Sequence, residues 1–302
     1  MNRDYSDFCD SGATWKEEYV SLPTGVELLS VVFTPPEPAA APIILFIPGF
    51  VSLIDNFRET LVELTRTHIV IYVETREKST ARISSYHGFS AEDITSDLVH
   101  FAETRIPDGL PYVMAGYSLG ATAIAEAFPR LQRKPEAVLL IEPNSSFPFK
   151  GLALFFARLA KYIYRPVAPF VKWYMRTFLI DIETDEEMYL INCRNLDTAE
   201  PEKLGMAVRQ LSRYRMDGCL ELISVPALVV VTSKDQFHSH GKGTEIAARI
   251  PGAQCLDMED NKRTHSAEMG RVISDFISSP ARKPAPSDQP YQEIFSSSSL
   301  LS

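Results

Sequence analysis

The sequence predicts an α/β fold: a mostly parallel central sheet with helices on both faces and a helical cap inserted after the sixth strand. Three observations carry this expectation. Short apolar runs alternate with segments of helical period from residue 43 onward. The runs at 43–47 and 137–141 are apolar without interruption, as a strand covered on both faces requires. The rhythm then breaks over 145–215, a mainly helical, aromatic-rich stretch between two core strands. An excursion that leaves a sheet where a strand ends lies naturally over that edge as a cap.

The elements follow in order. Residues 19–22 and 26–33 bracket a Thr24-Gly25 turn, the pattern of an antiparallel hairpin. The Pro-rich EPAAAP closes it, and strand 43–47 ends at Pro48-Gly49. A helix over 56–66 leads to a second buried strand at 68–73. Ser90 opens the next helix with Asp93 three positions on, a capping box using the shorter acid. Ile94, Leu98, Phe101 and Ile106 then recur at helical spacing. Strand 112–115, helix 119–128 and strand 137–141 complete the first half. After the excursion come strands at 227–231 and 254–258 and helices at 243–249 and 266–278. The expected organisation is a first core half at 1–144, the cap at 145–215, the rest of the core at 216–279 and a disordered Ser- and Pro-rich tail at 280–302.

Composition excludes several classes of protein. A chain of 302 residues buries a sizeable core without help from a metal or a disulfide. Its 30 Lys and Arg against 39 Asp and Glu leave a net charge of −9, which argues against a nucleic-acid partner. Cys9, Cys193, Cys219 and Cys255 are too widely spaced for a zinc cluster or a disulfide scaffold. The first residues lack the apolar stretch of a signal peptide, and no apolar run reaches the roughly 18 residues that span a bilayer. The expectation is a cytoplasmic protein, with a peripheral place on a membrane as the alternative.

The sharpest local signal is Gly116-Tyr117-Ser118-Leu119-Gly120, with an apolar strand running into it and a helical pattern leaving it. The glycines permit close approach of strand and helix. Ser118 then projects from a tight turn beside the N–H groups of the first helical turn, which favour a developing oxyanion. An ordinary strand-to-helix turn with a small hydroxyl is the bland alternative.

At this point the chain resembles the alpha/beta-hydrolase family over residues 17–278, on GYSLG at 116–120, LFIPGF at 45–50, TSKD at 232–235 and RTHS at 263–266. The resemblance implies a nucleophile elbow after the fifth strand, followed along the chain by an acid and then a histidine. Ser118, Asp235 and His265 fit that order. It also implies hydrolysis of esters, thioesters or related bonds without a cofactor.

The residues support the same roles. A serine hydroxyl needs a base, and His265 lies between a strand and the final helix, at the edge where Ser118 belongs. His68 and His100 have sufficient packing or surface roles, and His87 sits in a loop that could reach the site. Asp235 follows the apolar strand ALVVV and could fix the His265 tautomer. Glu142, ending the strand after the Ser118 helix, is the rival acid. His238 and His240 with Asp235 have the arithmetic of a metal site, but no metal is expected. Pro48-Gly49-Phe50 ends a buried strand where the family places its second oxyanion donor, so the N–H groups of Phe50 and Leu119 are the expected pair, with Val51 one residue away.

The cap segment 150–180 carries Lys150, Arg158, Lys161, Arg165, Lys172 and Arg176 and no acidic residue. Its aromatics, Phe155, Phe156, Phe170, Trp173 and Tyr174 among them, have three readings: the wall of an acyl pocket, contact with an anionic lipid surface, or the cap's own core. The acidic DIETDEE at 181–187 reads as a balance to the basic helices or as a solvated helix start. The functional expectation is a carboxylic ester hydrolase acting through an acyl-enzyme on a small-molecule ester with a medium or long acyl group. A thioesterase, an acyltransferase, a carbon–carbon bond hydrolase and a non-catalytic ligand-binding scaffold of the same fold remain alternatives.

Overall fold

The computed structural model describes residues 3–37, 41–83, 88–149, 151–179, 182–234 and 240–279 of the chain. Among them nine strands form one sheet: β1 (Thr14–Ser21), β2 (Val26–Thr34), β3 (Ile43–Ile47), β4 (Val70–Val73), β5 (Arg82–Ile83), β6 (Tyr112–Tyr117), β7 (Ala137–Ile141), β8 (Ala227–Val231) and β9 (Gln254–Asp257). The order is β1-β2-β4-β3-β6-β7-β8-β9, with β5 paired to β2. From β4 to β9 all pairs are parallel; β1, β2 and β5 supply the antiparallel edge.

Uninterrupted apolar strands place side chains on both faces, and both faces are covered. From β3, Ile43, Leu45 and Ile47 pack with Ile94, Leu98 and Phe101 of α2 (Ala91–Arg105) and Ile124 of α3 (Leu119–Ala127). Ile246 of α7 (His240–Arg249) joins that layer. Ile44 and Phe46 point the other way, to Leu61 and Leu64 of α1 (Arg58–Leu64) and to Met269, Ile273 and Ile277 of α9 (Ala267–Ser278). The capping box of α2 is complete: Asp93 N donates to Ser90 Oγ at 3.2 Å, and Ser90 N donates to Asp93 Oδ2 at 2.9 Å.

The cap leaves β7 as α4 (Gly151–Tyr174), which runs through Pro166 and Pro169 into a π-turn (Met175–Leu179), then α5 (Ile182–Thr198) and α6 (Pro201–Leu211). α6 is its anchor, with Gly205, Ala207 and Leu211 buried. A β-carbon at Gly205 would stand 2.4 Å from the Ala157 carbonyl oxygen, so the glycine is what lets α4 lie along α6. Lys203 of α6 reaches down to the carbonyls of Ala81 at 2.7 Å and Lys78 at 3.2 Å. α5 touches the core through Asn195, whose Nδ2 donates to Asn56 Oδ1 at 2.8 Å.

The strand that precedes the cap is the one expected, but it is the seventh. The two-residue β5 adds one to the count: its pairing, Val26 with Ile83 and Glu27 with Arg82, is tertiary and too short to leave a period in the sequence. The single turn α8 (Asn261–Thr264), capped by Asp260, was likewise not anticipated. The helix expected over 56–66 opens as a 3-10 turn (Ile54–Phe57) before α1. The tail at 280–302 lies outside the described residues.

Candidate active site

The strand order reverses between β3 and β6: β4 lies beyond one and β7 beyond the other. At such a switch point the loops after the two strands diverge and leave a crevice at the carboxyl ends. Ile47 pairs with Gly116, so the turns that follow both strands face each other there. A β-carbon at Gly49 would stand 3.4 Å from Ser118 Cβ. Among the described residues the non-glycine positive φ angles are Val51 (64°), Ser118 (49°), Glu142 (52°) and Glu259 (67°). They follow β3, β6, β7 and β9, so local strain collects at this one edge of the sheet.

Ser118 is the N-cap of α3 with φ 49° and ψ −107°, a sharp turn rather than a helical start. Both flanking glycines are sterically required. A β-carbon at Gly116 would meet Ile124 Cδ1 at 2.6 Å and the Gly120 backbone at 2.7 Å, and one at Gly120 would meet the Ile47 oxygen at 2.5 Å. Ser118 Oγ accepts a hydrogen bond from Asn144 Nδ2 at 2.9 Å. A hydroxyl has one proton and two lone pairs, so a donor on one lone pair leaves the proton to be given elsewhere. Leu119 is buried at the first position of α3, where helical N–H groups have no intrahelical partner.

On the facing turn, the Gly49 carbonyl accepts from Lys78 Nζ at 2.7 Å. That ammonium is buried and also bonds Glu77 Oε1 at 2.5 Å and Thr75 Oγ1 at 3.2 Å. None of the described peptide bonds is cis. In a planar trans peptide the N–H points away from the preceding C=O. Holding the Gly49 carbonyl against Lys78 therefore aims the Phe50 N–H in the opposite direction. The Lys78 segment is itself fixed: Arg76 makes a buried two-point contact with Asp97, both distances 2.6 Å, and Lys203 ties its carbonyls to the cap.

His265 caps the end of α8. Its ring stacks on Phe57 at 5.3 Å and lies 5.2 Å from the ring of Tyr117, the residue before the serine. The Tyr117 hydroxyl donates to the Thr264 carbonyl at 2.8 Å, locking α8 to the elbow. Nδ1 stands 3.0 Å from the Asn261 carbonyl oxygen and 3.1 Å from Thr264 Oγ1. A carbonyl can only accept, so this network assigns the proton to Nδ1 and the basic lone pair to Nε2. Glu142 is buried; its Oε1 accepts from Thr232 Oγ1 at 2.9 Å and its Oε2 from Asn261 Nδ2 at 3.3 Å. Asn261 thus links the Glu142 carboxylate to the imidazole.

The structure brings Ser118, Leu119, Phe50, His265 and Glu142 to one edge of the sheet. Asp235, His87 and His238 lie outside the described residues, as do Lys150 and the side chain of His240. The five aromatics expected to wall an acyl pocket, Phe155, Phe156, Phe170, Trp173 and Tyr174, are 41% to 61% exposed. Beside the elbow another aromatic row runs from Phe50 to Phe149 (5.9 Å), Phe147 (6.5 Å) and Tyr214 (5.7 Å). Sequence reading missed Asn144, Lys78 and Asn261. The acid-and-base string ETREK at 74–78, directly after a buried strand, was the available signal for the second.

The strand order, the elbow after β6 and the cap after β7 define the alpha/beta-hydrolase fold. No family model and no curated protein matches the sequence. Among solved structures, the enol-lactonase from Burkholderia xenovorans LB400 is similar at a TM-score of 0.71 and 19% identity, over 87% of this chain and 100% of that one. A thermophilic esterase from Thermogutta terrifontis gives 0.72 and 17%, over 87% and 98%. The esterase EaEST from Exiguobacterium antarcticum gives 0.72 and 12%, over 87% and 100%. At these identities the likeness establishes the fold.

Proposed function

We propose that the protein is a serine hydrolase of carboxylic esters with a hydrophobic acyl group. The observation that carries this reading is Ser118 itself: a strained turn at the head of α3, its Oγ accepting from Asn144, with a histidine held against the preceding tyrosine. In the proposed reaction Ser118 Oγ attacks the acyl carbonyl while His265 Nε2 takes its proton. The N–H groups of Phe50 and Leu119 hold the oxyanion, each such donor contributing about 3 kcal/mol. The imidazolium protonates the leaving alcohol, and water activated by the same histidine releases the acid. Asp235 is the proposed acid beside His265; Glu142 supports it through Asn261. The aromatic row from Phe50 to Tyr214 favours an apolar acyl chain.

The test is steady-state hydrolysis of p-nitrophenyl esters from acetate to palmitate by the wild type and Ser118→Ala. The reading expects kcat/KM to climb with chain length beyond the butyrate and to vanish in the variant. A maximum at acetate or butyrate would remove the hydrophobic-acyl assignment, and turnover surviving in Ser118→Ala would remove the nucleophile.

A further inference from the structure

Helix α4 divides into three stripes. At about 100° per residue, Leu152, Phe155, Phe156, Tyr162, Phe170 and Trp173 fall within an arc of roughly 120°. Arg158, Lys161, Arg165 and Lys172 fill a neighbouring arc of roughly 60°. The remaining face carries Ala157, Ala160 and Tyr164. It is the one that packs: Ala160 is buried, Gly205 of α6 sits on Ala157, and the Tyr164 hydroxyl donates to the Leu196 carbonyl of α5 at 2.8 Å. Among the described residues the apolar stripe has no such cover, its six residues being 41% to 74% exposed. Phe178 in the following π-turn extends it at 61%. Half-exposed aromatics of this number present an apolar patch on the order of 600 Å², at the upper end of what a soluble surface carries without a partner.

The charges beside the stripe say what the partner is. Residues 151–179 hold five cations and no acid, in a chain whose net charge is −9. Lys161 and Lys172 are paired with Glu202 and Asp197, whereas neither Arg158 nor Arg165 is in an ion pair among the described residues. We propose that α4 docks the protein on an anionic lipid surface, its aromatic stripe entering the interface and Arg158 and Arg165 lying at headgroup level. An apolar stripe rich in Trp, Tyr and Phe beside a basic one is the pattern of a helix lying in the membrane plane. A second copy of the chain fits less well, because in a stripe-on-stripe contact α4 offers no acid to meet the cations of the other copy.

This goes beyond the hydrolase reading and stands independently of it, because binding is measured without turnover. Full-length Ser118→Ala is sedimented with vesicles of phosphatidylcholine alone and of phosphatidylcholine mixed with phosphatidylglycerol. The same is done in that background for Phe170→Ser/Trp173→Ser and for Arg158→Glu/Arg165→Glu. All four side chains are exposed, and circular dichroism checks that the fold is retained. The proposal expects binding to the anionic vesicles, at least tenfold weaker to the neutral ones, lost in the serine variant and reduced at least tenfold by charge reversal or by high salt. No binding to anionic vesicles overturns it. So does equal binding to both compositions that ignores charge reversal. A dimer in solution that the serine substitutions dissociate, with no vesicle binding, overturns it in favour of a second copy.

Discussion

Replacing Lys78 by Met removes the ammonium that holds the Gly49 carbonyl and leaves Glu77 as an unpaired carboxylate. Lys78 and Glu77 side chains are each 1% exposed, so the charge left behind has no water to turn to. Breaking one side of such a pair costs about 3–5 kcal/mol of stability. Catalysis should fall for a different reason. Without the 2.7 Å bond the Gly49–Phe50 peptide can rotate, and the proposed oxyanion donor, contributing about 3 kcal/mol on that proposal, loses part of its aim. Losing about 1.4–2.8 kcal/mol of that is roughly a tenfold to hundredfold drop in kcat. The two effects separate in Glu77→Gln/Lys78→Met, where Glu77 no longer leaves a carboxylate behind. Urea unfolding should show most of the stability returning. Hydrolysis of a p-nitrophenyl ester should show kcat still depressed with KM little changed, as expected for an interaction made in the transition state. Full recovery of kcat together with stability in the double variant would refute the positioning argument and leave Lys78 as a charge partner only.

The acid assignment is checked by pairing Asp235→Asn with Glu142→Gln: the first should cost about 10⁴ in kcat and the second less than about tenfold, and the reverse order would transfer the role to Glu142. His68 is 3% exposed, and burial lowers its pKa from 6.5 to about 4. As pH falls below 6.5 the unfolded chain takes up a proton that the folded one refuses until about pH 4. Stability should therefore decline by up to about 3 kcal/mol across that window, and urea unfolding of His68→Leu should lack this contribution; an unchanged acid slope would contradict it.

The core was legible because β3, β6, β7 and β8 are apolar without break, and only a sheet covered on both faces takes such strands. The elbow was legible because two glycines with contacts that no β-carbon could survive bracket a serine at a strand-to-helix change. What escaped the sequence depends on side chains meeting across it. Lys78 lies 29 residues from the carbonyl it holds, and Asn144 lies 26 from the serine it bonds. β5 exists only because β2 is there to pair with it. The aromatic period of α4 was visible, but not which side of the helix faced outward. That depended on the small-residue face of Ala157 and Ala160 fitting Gly205.

The proposed nucleophile can be tested directly by treating the folded protein with a fluorophosphonate and mapping any adduct by peptide mass. The account predicts one phosphonyl group on the Ser118 peptide, formed rapidly, absent from Ser118→Ala and slowed at least a hundredfold in His265→Ala. Unlabelled wild-type protein, or label on another residue that persists in Ser118→Ala, would contradict it.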